Sequence, residues 1–342
     1  MPSARIQLVK QCLFRGEQLI LSNSFYEEAV RTLTDSLLRQ DLANRDLTTE
    51  LFDLENRRGT AEVSAKEHGV AAGLAEASWL YGRYGVRARL HKNDGDEVHP
   101  GDSLLSVEGD GEHVLALERL ALNLLQRMSG VATMARQLQA QVRAISSSAC
   151  VVATRKTPWG LLDKRAVHLG GAGTHRLGLG DAILLKNNHL ALLGANEENA
   201  ARLAIERAWE SRHLCAFIEI EVRTSAGALA AARTFRRLRD SAVEPYPGLI
   251  MLDNWEPAAI GPLLIALCEE RLWEHVLLEA SGRITDSTLR AYAESGVDAI
   301  SVGALTHSTR ALDISQTLFL EEGTSHVNRS RAVRDALHPP AN

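Results

Sequence analysis

Short apolar segments that alternate with helical patterns limit the fold of this chain more than any other feature of its sequence. Six such segments follow residue 149, at 150–153, 182–185, 217–222, 249–252, 276–278 and 299–302. The later ones are separated by stretches of helical length and periodicity at 197–210, 226–239, 257–270 and 286–294. Strand–helix alternation predicts a parallel sheet covered by helices, and the number of units favours a closed barrel over a short open sheet.

The chain before this region has a different pattern. Residues 25–42 carry apolar side chains near helical spacing and predict an amphipathic helix. Residues 117–145 predict a long helix with a soft interruption at Ser129 and Gly130. Between these helices, short strand patterns are broken by turn signals at 59–60, 68–69, 94–95 and 110–111. We therefore predict a small α+β domain ahead of the barrel.

Charge and cysteine content exclude several classes of protein. The net charge of −5 over 342 residues gives no general attraction to nucleic acid or to an anionic membrane. The cysteines are far apart and form no CxxC pair, which favours reduced thiols over a metal or disulfide framework; they are Cys12, Cys150, Cys215 and Cys268. No apolar run reaches the length of a membrane span, and no apolar signal core begins the chain. We expect a soluble cytoplasmic protein.

A local excess of cations lies between residues 155 and 186. Six Lys or Arg residues stand there against two acids, in a chain that is acidic overall. Guanidinium groups bind carboxylates at two points and lysine offers a point charge to phosphate, so the segment predicts an anion pocket. The stronger candidates border apolar strands or glycine turns: Arg155, Lys156, Arg176 and Lys186, with His175 beside them. For Lys164 and Arg165, on a predicted helix, a solvated surface is an equal alternative.

Acidic and small residues end the following strands. Glu221 and Asp253 stand at neighbouring strand ends, with Glu219 and Glu279 nearby, and Glu219 and Glu221 share one face of their strand. Such carboxylates suit a hydrated magnesium ion or a sugar diol, and salt bridges to the adjacent basic strands are the alternative. Glycine-containing turns at 279–282 and 301–303 precede helices, one of them with Thr285 placed as its cap, and together they indicate one phosphate site.

Eight short motifs, in one order, give the chain a family resemblance. They are ERLALN at 118–123, TRKT at 154–157, HRLGL at 175–179, KNNH at 186–189, EIE at 219–221, LDN at 252–254, EASG at 279–282 and GALTH at 303–307. The chain resembles the quinolinate phosphoribosyltransferase family, also called carboxylating nicotinate-nucleotide pyrophosphorylases, from about residue 42 to 313. The family transfers phosphoribose from phosphoribosyl pyrophosphate to quinolinate, with decarboxylation, in NAD biosynthesis.

The resemblance implies an α/β fold with two domains. An N-terminal α/β sandwich would span residues 1–128, with 305–342 returning to it, and an incomplete seven-stranded α/β barrel of the type II phosphoribosyltransferase fold would span 129–304. The sequence itself displays six barrel strands. The family is homodimeric, and Arg119 would reach the partner's site.

The resemblance also assigns roles to the residues of the site. Quinolinate would be bound by Arg155, His175, Arg176 and Lys186, together with Arg119. Phosphates would be bound by Lys156, Ser281, Gly282, Gly303 and His307. Glu221 and Asp253 would bind the ribose hydroxyls and Mg²⁺, and Lys156, Glu221 and Asp253 would be the catalytic residues.

Departures from the family pattern keep two other functions open. Asn187 stands where an aspartate is usual, Arg283 replaces a glycine, and the segment at 157–162 with Trp159 is short. About a dozen residues are inserted around 236–247, and the C-terminal tail is long. A related transferase acting on another base and a non-catalytic phosphoribosyl-binding regulator are the alternatives.

Overall fold

The structure, a computed structural model, describes residues 4–42, 45–52, 54, 57–194, 196–240 and 248–320. These residues divide into two compact units. The barrel unit consists of residues 4–17, 134–160 and 171–308, with residues 241–247 outside the described part. The sandwich unit consists of residues 18–133, 161–170 and 309–320, again with gaps. This division differs from the expected domain boundaries chiefly at 4–17, which belongs with the barrel, and at 161–170, which belongs with the sandwich.

Helices and strands are numbered along the chain. The α-helices of the described residues are α1 Ala4–Leu13, α2 Ser24–Leu42, α3 Leu74–Arg83, α4 Gly111–Ile145, α5 Leu161–Leu169, α6 Asn187–Ala191, α7 Glu197–Glu210, α8 Ser225–Asp240, α9 Pro257–Glu269, α10 Asp286–Glu294 and α11 Ala304–His307. The strands are β1 Arg58–Ala65, β2 Gly69–Val70, β3 Arg87–Leu90, β4 Glu97–Val98, β5 Ser103–Asp110, β6 Cys150–Val152, β7 Ile183–Leu185, β8 Ile218–Val222, β9 Gly248–Asp253, β10 Val276–Ser281, β11 Ala299–Ser301 and β12 Ile314–Leu320.

The barrel unit is built on a parallel sheet of six strands in the order β6-β11-β10-β9-β8-β7. All six lie where the sequence predicts them, and the α/β fold is confirmed. In the described residues, an expected seventh strand is reduced to one parallel bridge between Val152 and Gly173. The prediction for β10 was wrong at its end, because the strand continues through Ser281 and so includes Glu279.

Helix α1 covers the amino ends of these strands. Its buried side chains Val9, Cys12 and Leu13 join a core made by the first residues of the strands and their neighbours: Cys150, Val152, Ala182, Phe217, Leu249, Leu277 and Ala299. Arg5 on the same helix pairs with buried Asp298, with Nε 2.6 Å from Oδ1. Each large apolar side chain buried in this way contributes roughly 1.5–3 kcal/mol. The amino ends are thereby closed, and the carboxyl ends remain available for a site.

The sandwich unit contains a four-stranded antiparallel sheet in the order β12-β1-β5-β3 and a two-stranded ribbon of β2 and β4. The predicted turn at 59–60 was wrong, because both residues lie inside β1. Neither Lys164 nor Arg165 is a solvated surface cation: Lys164 is buried, and Arg165 pairs with buried Glu76 at 2.8 Å. The cysteines of the described residues form no disulfide, and Cys12 and Cys150 are buried.

Helix α4 is continuous through Ser129 and Gly130, so the predicted interruption was wrong. The two residues serve packing within the sandwich unit. The Ser129 hydroxyl accepts a hydrogen bond from the Ala72 amide at 3.0 Å, and a side chain on Gly130 would collide with the Arg310 carbonyl oxygen. Helix α8 ends at Asp240, inside the inserted region. Residues 241–247 and the tail from residue 321 lie outside the described residues. Among the helices described, none is both long and apolar enough to cross a membrane.

Candidate active site

A pocket of about 750 Å³ lies within the barrel unit at the carboxyl ends of its parallel strands. Most of the site residues expected from the sequence line it, namely Arg155, Lys156, His175, Arg176, Lys186, Glu221, Asp253, Ser281, Gly282, Gly303 and His307. Arg119 is not among them; it is an exposed residue of the part of α4 that belongs to the sandwich unit. Parallel strands bring residues far apart in sequence to one edge of a sheet, which explains this convergence.

Positive charge is concentrated on one side of the pocket. Arg155, Lys156 and Lys186 are exposed, and within the described residues their side chains form no ion pair. Arg176 is buried, and its Nη1 donates to the Ala182 carbonyl oxygen at 3.1 Å. Burial and the neighbouring Arg155 lower the pKa of Arg176. An anion bound between these cations would relieve their mutual repulsion.

Two carboxylates face the pocket from adjacent strands. The Glu221 Oε1 atom accepts a hydrogen bond from Asn187 Nδ2 at 2.7 Å. Asp253 accepts from Asn254 Nδ2 at 2.8 Å and from the largely exposed Arg223 at 3.2 Å. Burial and the nearby Asp253 raise the pKa of Glu221. The salt-bridge alternative therefore applies to Asp253 and Arg223, while Glu221 has a neutral amide as its partner.

The donor set at this position fits a hydrated magnesium ion. Magnesium prefers oxygen ligands, takes one or two carboxylates from the protein and keeps several waters. Glu221 and Asp253 repel each other, and a divalent cation between them would remove that repulsion. Asn187 retains a carbonyl oxygen but adds no third negative charge.

The turn after β10 lines the pocket beside the end of β9. Gly282 has a φ of +110°, and a Cβ atom there would lie 2.7 Å from Cγ of Asn254, so a larger residue would be both strained and obstructed. Arg283 follows with a φ of +50°, which is unfavourable for a residue with a side chain. Among the described residues, no acceptor faces the amides of Gly282, Arg283 and Ile284. Free amides in such a turn are suited to binding phosphate.

The second predicted phosphate turn lies beside Lys156. The Thr306 hydroxyl donates to the Lys156 carbonyl oxygen at 2.8 Å, which ties α11 to the end of β6. A Cβ atom on Gly303 would lie 3.0 Å from Nε2 of His307. The predicted cap at Thr285 is confirmed, since Thr285 is the N-cap residue of α10 and its amide donates to Thr288 Oγ1 at 3.0 Å.

A cluster of three buried titratable side chains adjoins the pocket through His175, whereas its two glutamates do not line the pocket. His175 Nε2 lies 2.9 Å from Oε2 of Glu219 and 3.2 Å from Oε2 of Glu279. Both glutamates are fully buried, and the Ser301 hydroxyl donates to the other oxygen of Glu279. The Arg176 amide donates to Nδ1 of the same imidazole at 2.7 Å.

Burial and the close charges raise the pKa values of His175 and Glu219. Burial opposes a charge on the imidazole, but Glu279 and Glu219 outweigh it and raise the pKa of His175 to about 9. Burial and the charge of Glu279 raise the pKa of Glu219 to about 7. The Arg176 amide opposes a second ring proton, because a ring nitrogen that accepts a hydrogen bond carries no proton; the geometry therefore places the single ring proton at Nε2, facing the two carboxyl groups.

The sequence matches the models of two domains of one known family. Residues 46–129 match the quinolinate phosphoribosyl transferase N-terminal domain, and residues 131–317 match the C-terminal domain. The chain belongs to the quinolinate phosphoribosyltransferase family. The two matches together cover more than three quarters of its length, and they follow each other in the family's order.

Named relatives agree with this membership. The chain is 34% identical over 281 residues to a probable carboxylating nicotinate-nucleotide pyrophosphorylase of Methanothermobacter thermautotrophicus, covering 82% of this chain and 95% of the relative. It is 34% identical over 296 residues to a protein of the same description from Bacillus subtilis, with 85% and 94% covered. The crystal structure of NadC from Streptococcus pyogenes superposes with a TM-score of 0.71 at 31% identity, covering 86% of this chain and 97% of that one.

Sequence reasoning named Glu219 and Glu279 only as neighbours of the carboxylate pair, and it missed their contact with His175. A signal was present, because a charged residue within an apolar strand such as FIEIEV must find a buried partner. It also missed Asn254, whose φ of +57° and contact with Gly282 join two strand ends. No sequence signal points to that contact, since the two residues meet only when β9 and β10 pair.

Proposed function

We propose that this member of the quinolinate phosphoribosyltransferase family transfers phosphoribose from phosphoribosyl pyrophosphate to quinolinate. The products would be nicotinate mononucleotide, CO₂ and pyrophosphate. The observation that carries the proposal is that cationic side chains, a carboxylate pair and a glycine turn line one pocket. These three chemistries match a pyridine dicarboxylate and a phosphorylated sugar with a pyrophosphate leaving group. The carboxylating pyrophosphorylase names of the relatives support the same reaction.

Quinolinate would bind on the cationic side. Arg155 and Arg176 offer guanidinium groups for two-point contacts to a carboxylate, and Lys186 offers a point charge. We assign Arg119 to the same substrate from a second copy of the chain in a homodimer, as in the family. Pairing each carboxylate with a fixed cation would orient the ring nitrogen toward the sugar.

Phosphoribosyl pyrophosphate would bind along the carboxylate pair and the two glycine turns, next to Lys156 of the cationic side. Lys156 and His307, with the amides around Ser281, Gly282 and Gly303, would hold its phosphates. Glu221 and Asp253 would hold the ribose hydroxyls and a hydrated Mg²⁺ ion. That ion, when bound, would neutralise charge on the departing pyrophosphate.

The reaction joins the pyridine nitrogen to the anomeric carbon as the bond to pyrophosphate breaks. Positive charge develops on the ribose, and the carboxylates of Glu221 and Asp253 would stabilise it. The new pyridinium then loses the adjacent carboxylate as CO₂, because the positive ring nitrogen stabilises the carbanion left at that carbon, and a solvent proton then bonds to the carbon. Lys156 would stabilise the negative charge of the leaving group.

The test is turnover by the purified protein with quinolinate, phosphoribosyl pyrophosphate and Mg²⁺. The proposal predicts nicotinate mononucleotide and pyrophosphate in equal amounts. If neither product forms, while phosphoribosyl pyrophosphate binds tightly, the regulator alternative replaces it.

Transfer to another base is favoured by two features of this chain, Asn187 beside Glu221 and the short segment at Trp159. A competition assay between quinolinate and pyridine monocarboxylates distinguishes transfer to quinolinate from transfer to another base. Equal use of a monocarboxylate would contradict the quinolinate assignment. The cytoplasmic location expected from the sequence stays a prediction.

A further inference from the structure

The imidazole of His175 has both of its ring nitrogens engaged by the protein. Nδ1 accepts the Arg176 amide at 2.7 Å. Nε2 is buried, forms no hydrogen bond of good geometry among the described residues, and lies within ion-pair distance of Glu219 at 2.9 Å and of Glu279 at 3.2 Å. The residue is 5% exposed, so its contribution to the pocket surface is small. A substrate carboxylate would have to displace one of these partners to reach a ring nitrogen.

We propose that His175 is a positioning residue that acts on the substrate through Arg176, and that Glu219 and Glu279 hold its ring for this purpose. The inference rests on the proposed function, because it concerns how Arg176 is made ready for a quinolinate carboxylate. This positioning role differs from the role that the family resemblance implies, in which His175 binds quinolinate directly.

Arg176 is held by hydrogen bonds at its backbone amide and at its guanidinium group. Its amide is bound by His175 Nδ1, and its Nη1 donates to the Ala182 carbonyl oxygen at 3.1 Å. The next amide, of Leu177, donates to Asp181 at 2.8 Å, and Asp181 pairs with Arg15 at 2.9 Å. A guanidinium held in this way loses little further freedom on binding an anion, which favours affinity.

His175 itself adopts a backbone conformation that needs support. Its φ of +54° lies in the left-handed region, which costs a residue with a side chain roughly 1–2 kcal/mol. Its amide donates to the Leu13 carbonyl oxygen at 2.9 Å, and its ring meets Phe217 edge-on at 5.4 Å. The left-handed turn is what points Nδ1 at the following amide, so holding the ring also holds Arg176.

The carboxylates of Glu219 and Glu279 contact the Nε2 end of the His175 ring. Glu219 on β8 and Glu279 on β10 converge on one nitrogen, although β9 lies between their strands. Burying a carboxylate is costly unless it is paired. Glu279 has Ser301 as a second partner, whereas both oxygens of Glu219 lack a hydrogen bond of good geometry in the described residues. His175 is thus the shared partner of both groups.

A double-mutant cycle distinguishes a positioning residue from a direct ligand. His175→Asn tolerates the left-handed backbone and removes the ring. Arg176→Ala removes the guanidinium and should raise the KM for quinolinate about tenfold to a hundredfold, as expected for loss of a charged hydrogen bond. If His175 acts through Arg176, His175→Asn raises that KM about tenfold alone but less than about twofold in the Arg176→Ala background. Equal effects in both backgrounds would overturn the inference.

Glu279→Gln weakens the contact between the carboxylates and the His175 ring without removing the imidazole. We expect the KM for quinolinate to rise several-fold, with a smaller change in the KM for phosphoribosyl pyrophosphate. Glu76→Gln is the matched control, since Glu76 is also a fully buried carboxylate but belongs to the sandwich unit. An equal quinolinate effect in both variants would reduce Glu279 to a general structural role and contradict the proposal.

The ¹⁵N resonances of the His175 ring provide a readout independent of turnover. Adding quinolinate to the wild-type protein should leave the Nε2 resonance nearly unchanged, because that atom keeps its carboxylate partners. A large shift of Nε2 would show direct contact and overturn the inference. Failure of the proposed function is separable, because it would appear as absent turnover in the wild-type protein before any variant is compared.

Discussion

Gly282 and Asn254 bring the turns that follow β10 and β9 into close contact. A Cβ atom on Gly282 would lie 2.7 Å from Cγ and 2.9 Å from Cα of Asn254. Asn254, at a φ of +57°, in turn donates to Asp253 at 2.8 Å. The glycine turn proposed to bind phosphate is therefore in contact, through Asn254, with one member of the carboxylate pair.

Gly282→Ala should damage both of these features. The added methyl group pushes Asn254 away and requires a strained backbone, so we expect a loss of about 1–3 kcal/mol in unfolding free energy. The KM for phosphoribosyl pyrophosphate should rise at least about tenfold, roughly the effect of losing one good hydrogen bond to phosphate. Gly261→Ala, where a methyl group meets nothing within 4 Å, is the control for steady-state kinetics and urea unfolding. Unchanged kinetics in Gly282→Ala would contradict the linkage.

Arg283→Gly should weaken phosphoribosyl pyrophosphate binding while relieving backbone strain. Arg283 lines the pocket at a φ of +50°, and a direct phosphate contact would give this costly conformation a purpose. We expect the KM for phosphoribosyl pyrophosphate to rise about fivefold to tenfold, within the range of one exposed charged contact. Arg271→Gly is matched, because Arg271 is also exposed with a φ of +56° but lies outside the pocket lining. Both variants should gain stability; an unchanged KM in Arg283→Gly would exclude the contact.

Asn187→Asp should increase the apparent affinity for magnesium. It places a third carboxyl group beside Glu221, at the 2.7 Å contact now made by an amide. The half-saturating Mg²⁺ concentration for turnover should fall several-fold. Because the new charge raises the pKa of Glu221 further, the acid limb of the rate profile at low Mg²⁺ should move to higher pH. A rise in the Mg²⁺ requirement would contradict the proposed ion position.

Mixing two inactive variants tests the homodimer and the role of Arg119. Arg119→Ala and Lys156→Ala should each lose nearly all activity. If Arg119 serves the partner's site, each mixed dimer contains one site with both residues intact. Random mixing of equal amounts should then restore about a quarter of wild-type activity. No recovery, with mixed dimers verified by mass spectrometry, would rule out the shared site.

The strand ends of the barrel could be predicted because each is a local signal. Apolar runs mark the strands, and polar residues such as Glu221 and Asp253 follow at their carboxyl ends. Parallel pairing then brings them together without further information. The same reasoning located the cationic side and the glycine turns of the pocket.

Features that depend on distant partners could not be read from sequence in the same way. Gly130 resembles a helix break, but it is small because the Arg310 backbone passes close by. Arg165 resembles a site cation, but Glu76, 89 positions earlier, pairs with it. His175 resembles a substrate ligand in the sequence, which does not show that β8 and β10 bring two glutamates to its ring. In each case the residue type was visible and its partner was not.

The most direct test of the assigned reaction uses quinolinate labelled with ¹⁴C in its 2-carboxyl group. With phosphoribosyl pyrophosphate and Mg²⁺, the purified protein should release one labelled CO₂ for each nicotinate mononucleotide formed, and none when phosphoribosyl pyrophosphate is omitted. A nucleotide product that retains the label, or no labelled CO₂ under these conditions, would contradict carboxylating transfer to quinolinate.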